Sequence, residues 1–131
     1  MQDAAFDHDI EIRFRDCDAL GHVNNAVYLS YLEQARIAFW HRLTGTSGIP
    51  RGFILARAEI DFTAPATLGD RLVVALRVEA VGRTSFTLAY EVLKARTREV
   101  IASARTVQVM FDYGAGKPVP IPDAIRARLE G

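Results

Sequence analysis

Residues 16–36 read Asp16-Cys17-Asp18-Ala19-Leu20-Gly21-His22-Val23-Asn24-Asn25-Ala26-Val27-Tyr28-Leu29-Ser30-Tyr31-Leu32-Glu33-Gln34-Ala35-Arg36. The first half holds two carboxylates, a glycine and a histidine. The second half has neither Pro nor Gly. Asn24 and Asn25 supply an N-cap. Tyr28, Leu32, Ala35, Phe39 and Leu43 recur three and four apart and mark one apolar face of a helix reaching about Leu43. Gly45, Gly48, Pro50 and Gly52 end it. The stretch therefore predicts a turn that feeds a long helix. A helix start offers unpaired N–H groups and a partial positive charge. A carboxylate beside such donors is what a hydrolase needs, with a base or nucleophile on one side and an oxyanion site on the other.

Before this stretch, Ile10, Ile12 and Phe14 alternate with Glu11, Arg13 and Arg15, which predicts a short strand. After Gly52 the period changes to two. Ile54, Ala56, Ala58, Ile60 and Phe62 alternate with Arg57, Glu59, Asp61 and Thr63, and Pro65 and Gly69-Asp70 punctuate. Leu72, Val74, Leu76 and Val78 form the next strand, Gly82-Arg83 a tight turn, and Phe86, Leu88, Tyr90 and Val92 the strand after it. A second hairpin falls around Lys94–Arg98, and a last long strand runs from Val100 through Phe111. Gly114, Gly116, Pro118, Pro120 and Pro122 close the sheet, and Ile125 and Leu129 mark a short C-terminal helix. The order is strand, long helix, then four strands on short turns. It predicts an α+β domain over residues 1–131, a largely antiparallel sheet with one helix packed on it. Val73, Ala75, Leu93, Ile101, Val107 and Val109 fall on the alternate parity of these strands. One helix cannot cover both faces and every edge, so a further face or edge is expected to meet another subunit.

The bulk numbers narrow the partners. Sixteen basic and sixteen acidic residues cancel, which gives no electrostatic case for nucleic acid or an anionic membrane. No run approaches the ~18 apolar residues of a membrane span. Met1–His8 has no apolar core of the kind a secretory signal needs. One cysteine among 131 residues precludes an intrachain disulfide and suits a reducing cytoplasm.

Asp18 is the leading catalytic candidate, since it sits between a strand end and a helix start. Taken alone, an aspartate there is more often one that bonds its own turn. Asp16 leans further toward that role. His22 serves equally as a group that orients a carboxylate, as one that polarises a carbonyl, or as a cap. With no further spaced ligand after His22, no metal is expected. Cys17, flanked by two aspartates, reads as an inert thiol. The value of Asn24 and Asn25 beyond capping lies in backbone N–H groups. Glu33 pairs most simply with Arg36 three residues on, and Tyr28 and Tyr31 read as helix packing. Arg51, Arg57, Arg83 and Arg105 read as solvated surface that a nucleotide phosphate could also meet. There is no G-x-S-x-G elbow and no phosphate-binding glycine loop.

The run from Phe14 to Arg36 resembles the signature of the hotdog-fold acyl-CoA thioesterases of the 4-hydroxybenzoyl-CoA thioesterase type. The family pattern is met at Asp16, Asp18, Gly21, His22, Val23, Asn25, Tyr28, Glu33 and Arg36. Weaker likenesses follow in order at Asp61–Pro65 with Gly69-Asp70, at Gly82–Phe86 and at Gly116–Pro122. The resemblance implies a five-stranded sheet wrapped around the helix, homodimers joined edge to edge and often paired into homotetramers, and active sites at the dimer interface. It implies Asp18 as nucleophile or general base, the backbone N–H of Asn25 as the group polarising the thioester carbonyl, and His22 as the histidine found in many bacterial members. It implies an acyl-CoA substrate and no cofactor. An acyl-carrier-protein thioesterase and a non-catalytic acyl-thioester binding domain are the alternatives. A dehydratase or hydratase of this fold would resemble a His-Phe-Pro run or an Asp-x-Asn-Pro-x-His motif, and neither is in the chain.

Overall fold

The computed structural model of the protein describes residues 6–131, so most of the N-terminal segment read above for a secretory signal lies outside it. Strand β1 (Phe6–Glu11) is followed by a 3-10 turn (Phe14–Asp16), a second 3-10 turn (Asn25–Val27) and helix α1 (Tyr28–Thr44). Strands β2 (Phe53–Phe62), β3 (Arg71–Val81), β4 (Ser85–Lys94) and β5 (Val100–Asp112) come next, then the two-residue β6 (Lys117–Pro118) and helix α2 (Asp123–Glu130). The main strands lie in the order β1-β3-β4-β5-β2, each pair antiparallel, and β6 adds to β5. This is the wrapped-sheet arrangement that the resemblance implies, with one more short strand than expected.

The helix forms because its apolar side has a sheet to lie on. Tyr28, Tyr31, Leu32, Ala35, Arg36, Phe39 and Trp40 are its buried residues. They meet the inward side of the sheet, where Leu72, Val74, Leu76, Phe86, Leu88, Tyr90 and Val92 are each at most 2% exposed. Gly45 closes the helix in the left-handed region, φ 70°, and its N–H returns to the His41 carbonyl.

Three expectations change. The first strand starts earlier than its sequence pattern and stops at Glu11, and Phe14 is 82% exposed. The reason is local: the Arg13 N–H binds the Asp16 carboxylate, and the Asp16 and Cys17 N–H groups bond back to the Arg13 and Phe14 carbonyls, closing a turn that no strand can pass through. In β2 the alternation breaks at a bulge between Leu55 and Arg57, which leaves most of this edge strand exposed. The alternate-parity residues Val73, Ala75, Leu93 and Ile101 are already buried within one chain. The case for a partner therefore moves from the sheet's outer face to the β2 edge, where Leu55 and Phe62 are more than two-fifths exposed.

Candidate active site

The quoted stretch folds into a small hairpin. Asp16 and Asn24 are joined backbone to backbone, Cys17 bridges Val23, and the Asp18 N–H donates to the His22 carbonyl. Ala19, Leu20 and Gly21 form the tip, with Gly21 at φ 80°, a conformation that glycine takes at little cost. The hairpin is docked by Val23 N–H on the Ala66 carbonyl and by a bridge from His22 to Thr67.

Asp18 is exposed at the end of this hairpin. Its Oδ1 accepts from the Leu20 N–H at 2.9 Å and the His22 N–H at 3.4 Å. The turn role expected of an aspartate here is thus fulfilled by one oxygen. Oδ2 has no hydrogen-bond partner among the described residues. The His22 ring is half-buried and likewise has no side-chain partner among them.

Asn24 caps the following turn as expected, its Oδ1 accepting from the Ala26 N–H at 2.9 Å. Val27 N–H closes onto the Asn24 carbonyl. Asn25 is the first residue of the turn, exposed, and its N–H meets no acceptor among the described residues. It is one of the orphan donors of a helix start. Asp18, His22 and Asn25 are thus carried by one short segment.

Asp16 holds that segment to α1. Its Oδ2 accepts from the Tyr31 hydroxyl at 2.8 Å as well as from the Arg13 N–H. Tyr31, read as packing alone, is a clamp. Burial, then the bond to Asp16 and its charge, drive the Tyr31 phenol well above its ordinary value of 10.0. Cys17 is half-buried with its thiol toward the Arg13 carbonyl. Among the described residues no group of three or more His, Cys, Asp or Glu is placed to hold a metal ion, and no helix is long and apolar enough to cross a membrane.

The expected Glu33–Arg36 pair does not form. Arg36 lies on the buried stripe, 6% exposed, and its guanidinium turns inward to the Tyr90 hydroxyl at 3.2 Å. Tyr90 and Thr106 are 2.6 Å apart, the Thr106 hydroxyl donates to Gln108 Oε1, and Gln108 Nε2 donates to the Phe86 carbonyl at 3.1 Å. Because arginine only donates, the chain runs one way, from Arg36 through Tyr90 and Thr106 to Gln108. The available signal was polar Thr106 and Gln108 on the face of β5 that also carries Ala102, Ala104 and Met110. Arg51, Arg57 and Arg83 are exposed surface, and Arg105 is tied to Glu59 and Glu79.

Comparison with known proteins agrees with this architecture. The family model described as the thioesterase-like superfamily matches residues 12–129. A 1,4-dihydroxy-2-naphthoyl-CoA hydrolase of Nostoc punctiforme is 31% identical over 96% of this chain and 87% of its own length. A long-chain acyl-CoA thioesterase of Escherichia coli is 27% identical over 92% and 94%. The crystal structure of a thioesterase from Thermus thermophilus, complexed with coenzyme A and Zn, superposes with a TM-score of 0.85 at 37% identity, covering 99% of this chain and 95% of that one.

The clamp gives a pH test with a defined sign. The folded state raises the Tyr31 phenol, and burial also raises Tyr28 and Tyr90, so the native state keeps protons that the unfolded chain loses near pH 10. Stability is expected to fall as the pH rises above about 10. Urea unfolding of Tyr31→Phe is expected to show a shallower fall, with about 1.5–3 kcal/mol lost at neutral pH, where the bond to the carboxylate is intact.

Proposed function

This chain belongs to the thioesterase-like superfamily, and on that premise we propose that it hydrolyses the thioester of an acyl-coenzyme A to the free acid and coenzyme A. The observation that carries the reading is the unpaired N–H of Asn25 at a helix start, on the same short segment as a carboxylate with one free oxygen.

The chemistry follows from those two groups. The thioester carbonyl accepts from the Asn25 N–H, and the positive end of the 3-10 turn and α1 favours the oxyanion that develops there. The bonds to Oδ1 fix the orientation of the Asp18 carboxylate. Oδ2 then acts in one of two ways. As a general base it takes a proton from water, the hydroxide adds to the carbonyl, the oxyanion collapses with loss of the thiolate, and the proton passes to sulfur. As a nucleophile it forms an acyl–aspartate anhydride with loss of the thiolate, and water then hydrolyses the anhydride. His22, on the same segment, is assigned as a second donor to the carbonyl. No cofactor enters either route.

Asp18 and Asn25 lie open to solvent in one chain, whereas hydrolysis gains from a dry site. We assign the covering to a second copy, joined through the β2 edge, in a dimer or a tetramer. Leu29 at the start of α1 and Phe62 at the end of β2 are exposed apolar groups on this side, and Phe62 packs edge-on to Tyr28 at 5.1 Å. The lone cysteine fits a cytoplasmic setting.

Three measurements test these assignments. Asp18→Asn keeps the size and removes the carboxylate, and turnover of the best acyl-CoA, read as free thiol, is expected to drop by about 10²-fold or more; near-normal turnover rejects Asp18. Asn24 at φ −62°, ψ 135° already has the backbone that a residue before proline prefers. Asn25→Pro is therefore expected to fold, as judged by circular dichroism and melting, while losing about 10²–10³ in turnover. Asn25→Ala keeps the N–H and is expected to lose far less, and equal activity of the two variants would move the oxyanion donor elsewhere. Light scattering at micromolar protein is expected to give at least twice the 14.5 kDa of one chain, and an active monomer overturns the assembly.

A further inference from the structure

Strand β2 is an edge strand with exposed apolar groups gathered at both of its ends. At the end that leads to the candidate active site stand Leu29 and Phe62. At the other end a groove of about 320 Å³ opens between α1 and β2, with apolar walls from Ile37, Ile49, Phe53, Leu55 and Tyr113. Ile49 and Tyr113 are 80% and 63% exposed, and a cluster of this kind marks a surface that something covers. The Tyr113 hydroxyl donates to the Phe53 carbonyl at 3.4 Å and so ties the residues after β5 to the start of β2.

In one chain the two ends are separate. Helix α1 runs back along β2, from Tyr28 against Phe62 to Trp40 against Phe53, at 5.1 and 4.9 Å between ring centres. The groove therefore lies a strand's length from the Asn25 N–H, and the Tyr28–Phe62 contact stands between them. A substrate held at Asn25 does not enter the groove of its own chain.

A second copy changes that. Two-fold symmetry with both helices on the same face of one continuous sheet requires an axis perpendicular to the sheet. Such an axis sets β2 antiparallel to its copy. The C-terminal end of β2 in one chain then lies beside the N-terminal end of β2 in the other. The bulge suits this pairing. Before it the inward residues are Phe53 and Leu55, and after it Ala58, Ile60 and Phe62, by their register with β5. Pairing centred on the strand sets Phe62 opposite the partner's Phe53 and Ile60 opposite the partner's Leu55, so inward side chains meet inward side chains. The groove of each copy then opens beside the active segment of the other.

We infer that the acyl group of a thioester held at Asp18 and Asn25 of one chain is received by the α1–β2 groove of the second copy, with Ile49 and Tyr113 of that copy as specificity determinants. This inference rests on the thioesterase reading and on the β2-edge assembly above. Each site of the dimer is composite: one chain supplies the groups at the carbonyl, and the other supplies the apolar wall for the acyl group. Leu29 and Phe62 line the passage between the two, and the exposed apolar groups at both ends of β2 are covered together. Ile49 and Tyr113 touch the acyl group and take no part in the chemistry at the carbonyl.

The test is subunit complementation. Ile49→Glu sets a charge on the groove wall without disturbing the core of its own chain, because Ile49 is exposed there. Its kcat/KM on the best acyl-CoA is expected to fall about 10-fold or more, with the assembly unchanged by light scattering. Asp18→Asn lacks the carboxylate and keeps the groove. Dimers with one chain of each kind, purified through two different affinity tags, hold one site in which both the carboxylate and the groove are wild-type. They are expected to recover about half of the wild-type kcat/KM. If each groove serves its own chain, neither site of the mixed dimer is whole, and activity no higher than the mean of the two parents overturns the inference while the thioesterase reading stands. Near-normal kcat/KM of the Ile49→Glu protein itself also overturns it. Should Ile49→Glu fail to assemble, Tyr113→Glu on the same groove takes its place in the mixture. A wild-type protein that hydrolyses no acyl-CoA overturns the thioesterase reading, and an active monomer overturns the shared site together with the assembly.

Discussion

The contact on which the rest depends is the apolar stripe of α1 against the inward side of β3 and β4. Leu32, Ala35 and Phe39 meet a surface built from Leu72, Val74, Leu76, Leu88 and Val92, all nearly or wholly out of water. Full burial of one such large apolar side chain contributes about 1.5–3 kcal/mol. The helix axis is therefore not free to move. Its first turn, and with it the Asn25 N–H, takes a fixed position relative to the sheet. The Asp16–Tyr31 bond then transfers that position to the hairpin carrying Asp18 and His22. The chemistry is borne on a short exposed loop, but the loop is referenced to the core by the buried Tyr31 phenol and by Val23 on the Ala66 carbonyl.

Much of this was legible in the chain because two periodicities are clean. Residues 28–43 keep helical spacing, and residues 85–92 alternate so regularly that Phe86, Leu88, Tyr90 and Val92 all reach the core. The N-cap at Asn24 and the helix end near Gly45 followed from residue type, since both depend on local backbone chemistry. What escaped needs contacts distant in sequence or geometry that side-chain type does not encode. Ile12 and Phe14 extend the β1 pattern on paper, yet the Asp16 carboxylate closes the backbone into a turn there. The bulge at Leu55/Arg57 is set by pairing with β5 and leaves no trace in the alternation of β2. Arg36 has Glu33 as an obvious helical neighbour and instead finds Tyr90, 54 residues away. The site divides in the same way: Asp18, His22 and Asn25 were readable as a motif, and the residues that hold them in place were not.

The core is also more polar than the composition suggests. Arg36, Thr106 and Gln108 are buried beside Tyr90, and every hydrogen bond among them has its donor on the Arg36 side. Such a chain has one consistent sense, and each member depends on the next for satisfaction. It joins α1 to β4 and β5 by direction as well as by proximity, which a purely apolar contact could not do. Tyr90 sits at the junction, accepting from the helix and donating to the neighbouring strand. Burial raises its phenol, and Arg36 and Thr106 act against that rise.

The strand order has a consequence for how the chain assembles itself. Strands β3, β4 and β5 form a meander whose neighbours are joined by short turns, so their pairing closes only small loops. The two outer strands are different. Phe6 pairs with Leu76, and Phe53 pairs with Met110, so each edge has to wait for a partner that lies far along the chain. Closing those long loops costs entropy before any contact compensates it. As the polypeptide leaves the ribosome, β2 emerges well before β5. During that interval its backbone is an unpaired ribbon, and the charges at Arg57, Glu59 and Asp61 are what discourages it from pairing with the wrong strand.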